Sequence, residues 1–316
     1  MLKLTRYPHN PIFIPEEKNE WEKSGAYNGC VAKLADSYHL LYRALSSSRT
    51  SVIAHATGED YFDFSSREIL IKPDSDWDRY GCEDPRVTQI EGNFYICYTG
   101  LSNQPLTPDG IKVCVAKTTD FKTVEKHPVA TFNSKAMALF PEKIGDKYAA
   151  ILTLSTDRPP LPAKIAIAYF ERLEDIWSKD YWNAWFDHQD EFSLHLLRDP
   201  SHQIEVGAAP IKTEIGWIFI YSYTKNYYTN DKIFGIEAAL LDLNSPHNII
   251  GRSSDAMLIP EADYELYGEV PKVVFPSGAL LDANTLWVYY GAADSSICLA
   301  SCEKDLLIKD LLMSKP

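Results

Sequence analysis

The sequence predicts an all-β chain of 316 residues folded as a five-bladed β-propeller, with a short helical insertion after the third blade and a helical segment near the C-terminal end. Three observations carry that expectation. Apolar residues recur mostly with the period of two that a strand imposes. The strand-like runs come in pairs bounded by Gly, Pro, Asn or Asp. Five such pairs share one pattern along the chain, as the repeats of a propeller do.

The five segments are Gly25–Ala44, Gly81–Gly100, Met137–Leu154, Val206–Tyr223 and Val273–Ala292. Each reads as an opening strand, a turn and an aromatic strand. The aromatic strands are Tyr38–Arg43, Asn93–Thr99, Tyr148–Leu154, Trp217–Tyr223 and Leu286–Tyr290. A further run follows each: Ser51–Ala56, Lys112–Lys117, Lys164–Phe170, Phe234–Leu243 and Ser296–Ser301. Four segments carry a proline expected just before the opening strand: Pro85, Pro141, Pro210 and Pro276. Five matching repeats favour a propeller over a two-sheet sandwich. Helical periodicity is confined to Glu171–Leu197 and Leu306–Leu312. The first holds Trp177, Trp182 and Trp185, expected to pack locally, although such an insertion also suits a cover over the channel or a subunit contact. Residues 1–316 are read as one domain.

Composition narrows the function. The chain is 45% hydrophobic and 24% charged, an ordinary globular balance. Its net charge of −13 argues against nucleic acid as a partner, since phosphate binding needs a basic surface. No stretch approaches the roughly 18 apolar residues of a membrane span, so no membrane partner is expected. The first residues, Met1–Pro8, lack a secretory pattern, and a cytoplasmic location is expected. The six cysteines are scattered in strand-like runs and read as buried free thiols. No zinc spacing or EF-hand loop is present, and neither metal nor cofactor is expected.

In a propeller, loops at one end of the innermost strands converge on a central channel. The polar residues assigned to those places are Asn28, Asp84, Glu142, Glu205 and Glu269. Each carboxylate taken singly suits a turn cap or an ion pair. Converging together, they raise one another's pKa and mark a functional or cation site.

At Gly81-Cys82-Glu83-Asp84-Pro85-Arg86-Val87 the sequence resembles glycoside hydrolase family 130, the β-mannoside phosphorylases and β-mannosidases. The resemblance extends over nearly the whole chain: Asn10-Pro11-Ile12, Tyr27-Asn28, Tyr42-Arg43, Phe140-Pro141, Gly207-Ala208-Ala209-Pro210, Val270–Pro276 and Tyr289–Asp294. It implies a five-bladed propeller and an inverting attack on a β-mannoside. Asp84 matches the family's general acid, whose proton reaches the leaving oxygen through the 3-hydroxyl of the bound mannose. Such an acid needs a raised pKa, which neighbouring carboxylates are expected to supply. Asn28, Arg43 and Asp294 match residues that hold the non-reducing mannose, and Arg49 is placed with them. Arg86 is read as a structural ion pair beside the acid.

Departures from the family pattern point to water as the nucleophile. Where phosphorolytic members place three cations and a histidine, the resemblance puts Glu142, Leu154, Glu205 and Ser222. Glu142 and Glu205 are therefore expected to face each other across the funnel floor and share a water, with Asp84 opposite. Inverting carboxyl groups lie roughly 6.5–9.5 Å apart to leave room for that water. The expected activity is exo-acting release of mannose from β-1,2-linked mannosides, the partner being an oligosaccharide. A phosphorylase drawing on Lys143, Lys212 or Lys272 is the rival enzyme. A non-catalytic carbohydrate-binding propeller is the rival binding module. WD and Kelch signatures of interaction propellers are not apparent, and a homo-oligomer is compatible with everything above.

Overall fold

The computed structural model describes residues 2–159 and 161–314. Five antiparallel sheets are arranged as the blades of one ring. Blade 1 is β2 (Gly25–Leu34), β3 (Ser37–Leu45), β4 (Ser51–Gly58) and β5 (Ser65–Ile71). Blade 2 is β6 (Gly81–Ile90), β7 (Asn93–Leu101), β8 (Ile111–Thr118) and β9 (Glu125–Pro128). Blade 3 is β10 (Ser134–Leu139), β11 (Tyr148–Leu154), β12 (Lys164–Phe170) and β13 (Ser193–Leu194). In blade 4 the inner strand is broken at Gly207–Pro210 into β14 (Gln203–Val206) and β15 (Ile211–Lys212), which both pair with β16 (Trp217–Lys225). β17 (Ile233–Leu241) and β18 (Ile249–Arg252) complete it. Blade 5 is β19 (Val274–Asp282), β20 (Thr285–Ala292) and β21 (Ser296–Glu303), closed on its outer edge by β1 (Thr5–Arg6). The strand nearest the N-terminus thus completes the last blade, Thr5 opposite Ser301 and Arg6 opposite Ala300.

The period-two pattern has a specific cause here. The apolar core is five wedges, each between two neighbouring blades. Along β3, Leu40, Tyr42 and Ala44 enter the wedge with blade 5, whereas Leu41 enters the wedge with blade 2. Middle strands are therefore apolar on both faces. Outer strands such as β5 have a single covered face and are largely exposed.

Four blades also carry a fully buried carboxylate that accepts a 2.8 Å hydrogen bond from a tyrosine hydroxyl of a middle strand. The pairs are Tyr42–Glu22, Tyr98–Asp78, Tyr221–Glu237 and Tyr290–Glu265. Each carboxylate also meets a cation: Arg67, Lys126, Arg198 and Arg6 respectively. Blade 3 has Asn133 and Thr156 instead, 3.3 Å apart. Burying a charge without such partners would cost several kcal/mol, so Glu22, Asp78 and Glu265 fasten their connecting segments to the sheet, while Glu237, on β17, ties Tyr221 of the adjacent strand to Arg198.

The insertion after β12 forms α1 (Lys179–Phe186), capped by the Ser178 hydroxyl and flanked by 3-10 turns. Trp182 and Trp185 pack onto blade 3 and donate to the carbonyls of Ile176 and Ile167, so the insertion packs locally. A short helix, α2 (Asp263–Leu266), carries Glu265. The C-terminal α3 (Lys304–Met313) buries Leu307, Ile308 and Leu311 beside blades 4 and 5. All six cysteines are free, and all but Cys302 are buried. Among the described residues no helix is long and apolar enough to cross a membrane, and no cluster of three or more His, Cys, Asp or Glu is set to hold a metal.

Candidate active site

Three of the inner strands share an irregularity at one end. Register slips between Tyr27 and Cys30 in β2, Glu83 and Arg86 in β6, and Lys135 and Ala138 in β10. Each slip holds one left-handed residue: Asn28 (φ 52°), Asp84 (φ 53°) and Ala136 (φ 53°). Such a bulge sets two residues against one and re-aims a side chain. Asn and Asp tolerate this conformation better than most residues, which suits them to these positions. Gly291 is required beside them, because a β-carbon there would stand 2.0 Å from Asn28 Oδ1.

The bulges open onto a cavity of about 260 Å³, near the small end of ligand pockets. On the side of blades 1 and 2, Asn28 Nδ2 donates to Asp84 Oδ1 at 2.7 Å. Arg43 reaches Glu83 Oε1 at 2.5 Å and lies 3.6 Å from Asp84 Oδ1. Ser51 Oγ accepts from Arg43 Nε at 3.0 Å. On the side of blades 3 and 4, Lys135 Nζ lies 2.8 Å from Glu205 Oε2. Tyr227 donates to Asp157 Oδ1 at 2.6 Å beside that pair. Asp294, Gln203 and Ser222 complete the polar wall, and Phe234, Phe275 and Val273 add apolar surface. Asn28 Oδ1, Thr99 Oγ1 and both amide atoms of Gln203 are buried without a protein partner, a pattern suited to a polyhydroxylated ligand.

Arg86 closes the channel below this cavity. It is fully buried and donates to the carbonyls of Asp84 (2.7 Å), Val206 (2.9 Å) and Gly207 (2.8 Å). Its role is structural, as expected, but it is held by carbonyls from blades 2 and 4 and not by a carboxylate.

The charges are divided unevenly. Burial alone would raise the Asp84 carboxyl, but Arg43, Arg86, the Asn28 hydrogen bond and Lys135 together hold it below its ordinary range. This reverses the expected direction, because the cations outweigh the neighbouring carboxylates. Burial raises Glu83 and Glu205 against the pull of Arg43 and Lys135 respectively. Burial also pushes Asp294 up to about 6.

Asn28, Arg43, Asp84, Glu205, Ser222 and Asp294 therefore meet in one cavity. Glu142, Leu154, Arg49, Glu269 and three lysines do not. Glu142 is exposed and pairs with Lys212 at 2.5 Å. It follows the far end of β10, whereas the cavity lies at the near end of that strand, so the expected water shared with Glu205 is not possible. Leu154 is buried in the wedge between blades 2 and 3. Arg49, in the turn after β3, is exposed and pairs with Glu269 outside the cavity wall. Lys143, Lys212 and Lys272 are likewise absent from the wall, whose lysines are Lys135 and Lys232.

Sequence reasoning missed Glu83, Lys135, Asp157, Gln203, Tyr227 and Lys232. For Lys135 a signal existed. It stands directly before the left-handed residue of its strand, as Glu83 does in β6 and Tyr27 in β2. Aligning blades on proline hid this, because Pro85 lies inside β6 whereas Pro141 lies past the end of β10.

Comparison with known proteins bears on what the cavity does. A glycoside hydrolase 130 family model, described as beta-1,4-mannooligosaccharide phosphorylase, matches residues 18–312. A beta-1,2-mannobiose phosphorylase of Thermoanaerobacter sp. (strain X514) is 32% identical over 325 residues, covering 96% of this chain and 99% of that protein. The beta-1,2-mannobiose phosphorylase of Listeria innocua, solved with beta-1,2-mannobiose, superposes with a TM-score of 0.81 at 24% identity, covering 99% of this chain and all 100% of that one. A further chain comes from work on glycoside hydrolases of the GH130 family of mannoside phosphorylases that target beta-1,2 mannosidic linkages in Candida mannan. It superposes at 0.74 with 22% identity, over 96% of this chain and 94% of that one.

Proposed function

Because the chain belongs to glycoside hydrolase family 130, enzymes that act on β-mannosides, we propose that it hydrolyses terminal β-1,2-mannosidic bonds with inversion. The observation that carries this reading is Glu205. Its carboxylate is buried in the same cavity as Asp84, at a place where phosphorolytic relatives are expected to hold phosphate.

Asn28, Arg43 and Asp294 hold the non-reducing mannose. Asp84 gives its proton to the leaving oxygen, relayed by the sugar 3-hydroxyl. Glu205 takes a proton from water as the water oxygen bonds the anomeric carbon from the opposite face. The active form has Asp84 protonated and Glu205 ionised. In the free cavity Arg43 and the other cations outweigh burial at Asp84 and lower its carboxyl, whereas burial raises Glu205, so the field there does not by itself select the active pair of protonation states.

Phosphorolysis is the competing reading, supported by the phosphorylase relatives and by Lys135 and Lys232 on the cavity wall. Against it, Lys135 already serves Glu205, and phosphate there would meet that carboxylate. Each close pair of like charges costs roughly 1–4 kcal/mol, depending on the local dielectric. Incubation with β-1,2-mannobiose decides between them. Free mannose, released first as the α-anomer at a rate indifferent to phosphate, is expected. Mannose 1-phosphate accumulating in proportion to added phosphate would overturn the hydrolytic reading.

A further inference from the structure

We propose that Lys135 is a positioning residue that fixes the Glu205 carboxylate in the orientation and ionisation from which it activates water. The proposal deepens the hydrolytic reading and rests on it. Its basis is geometric. Lys135 comes from blade 3 and Glu205 from blade 4, and the two side chains meet inside the cavity at 2.8 Å through Oε2. Both are held on strands, β10 and β14, close to the bulges that shape the site. With Oε2 taken by the ammonium, Oε1 is the oxygen assigned to the attacking water.

Among the cations near Glu205, with Arg86 on β6 and Lys232 on the cavity wall, Lys135 is the one that the structure pairs with its carboxylate. Asp84 faces Glu205 from β6 and opposes its ionisation, while Arg86, also on β6, favours it. Ser222 lies opposite Glu205 in the β16 register and carries no charge. Burial would lower the Lys135 ammonium, but Glu205 above all, with Asp157 and Tyr227 beside it, holds it protonated. Arg43 is occupied by Glu83 and Asp84 across the cavity, and Arg86 is spent on three carbonyls. Remove Lys135, and burial and Asp84 oppose the ionisation of Glu205 with less to offset them, so the protonated share grows. In that form Glu205 is a donor and cannot accept a proton from water. Lys135 also acts on Asp84, Glu83 and Asp294, so its influence spans acid and base together.

The test compares wild type with Lys135→Met, Lys135→Gln and Lys135→Arg. In the Met variant kcat should fall about 10²-fold or more, a typical share for an assisting acid–base group, with KM changed far less. Both limbs of the kcat/KM profile should move up by about one pH unit, because Lys135 favours the ionised forms of Asp84 and Glu205 alike and an adjacent opposite charge is lost. Lys135→Arg should restore most of both. Carbon-13 titration of the Glu205 carboxyl, identified by its loss in Glu205→Gln, should shift upward in parallel without reference to turnover. The Gln variant serves if the Met variant does not fold. Limbs and a carboxyl titration that coincide with wild type overturn the proposal even where wild type hydrolyses mannobiose. Phosphate-dependent product from wild type overturns the hydrolytic reading instead, and is detected separately by product analysis.

Discussion

Asp84 sits in a bulge with a left-handed backbone, hydrogen-bonded by Asn28 and facing Arg43. Asp84→Asn is nearly isosteric and keeps those neighbours in place. Turnover should drop by a factor on the order of 10² to 10⁴, with the melting temperature close to wild type; an active variant would remove Asp84 from the chemistry. Asp294 gives a second outcome. Burial pushes its carboxyl up to about 6, and the ionised form is the stronger acceptor for sugar hydroxyls. Protonation gains as pH falls, so KM for mannobiose should rise below about pH 6 in wild type. In Asp294→Asn that rise should be absent, measured as KM across pH 4.5–7.5, a range of roughly ordinary carboxyl and histidine titration. At this scale the sequence was only partly legible. Motif residues such as Asn28, Arg43, Asp84 and Asp294 could be found because their neighbours are distinctive. Lys135 lies in the undistinctive run Asn133-Ser134-Lys135-Ala136-Met137, and only the strand register reveals that it enters the cavity. Glu142 is the converse case: its motif is distinctive, but it follows the wrong end of the strand.

Most strands were legible, because wedge packing forces the alternation that marks them. Lys164–Phe170 and Tyr148–Leu154 match β12 and β11 end to end. The insertion was less so. Its tryptophans suggest one helix across Glu171–Leu197, but α1 spans only Lys179–Phe186, since its rings must reach back to carbonyls of blade 3 and of the preceding turn. What no periodicity could show is the pairing of tyrosines with buried carboxylates, three of them off the strands and Glu237 on the neighbouring one. At β1 this arrangement predicts an ordering of stabilities. Arg6→Met leaves Glu265 buried and short of its cation, and should cost about 3–5 kcal/mol. Tyr290→Phe removes a single hydrogen bond from the same carboxylate and should cost about 1–3 kcal/mol. Denaturant titration of both variants checks the order. Burial would raise Glu265, but Arg6, two backbone N–H groups and Tyr290 hold it below its ordinary range. Its stabilising share is therefore present above the unfolded glutamate pKa and lost as pH falls through the lower folded value. Wild type should lose stability in acid more steeply than Glu265→Gln.

Across the whole molecule, five repeats in sequence become five blades in space, and the convergent ends of their inner strands make one site. Blade count was legible because every blade repeats the same opening strand and aromatic strand. The division of charge inside the funnel was not, because it depends on which side chains from blades far apart in sequence come within a few ångströms. The overall charge of −13 conceals a cavity in which Arg43 and Lys135 each hold a carboxylate. Raising phosphate from zero to about 50 mM, well above the usual range of KM values, should leave the rate on mannobiose within twofold of its starting value once ionic strength is matched. Hydrolysis in phosphate-free buffer should remain at full rate.

The closure of blade 5 by β1 has a consequence during synthesis. Thr5 and Arg6 are made before any blade, but their partners, Ser301 and Ala300, emerge from the ribosome after the other four blades are complete. Until then the early strand has no edge to join, and blades 1 and 4 each expose an apolar flank that blade 5 will cover. A nascent chain is therefore an open arc with two sticky ends, the kind of species that invites chaperones or aggregation. The final event is a capture between segments about 295 residues apart, and the loop entropy of so long a closure grows only slowly with length. Chains arrested just before β19 should accordingly stay protease-sensitive throughout the arc, and release of β21 should confer resistance on blade 1 and blade 4 in the same step.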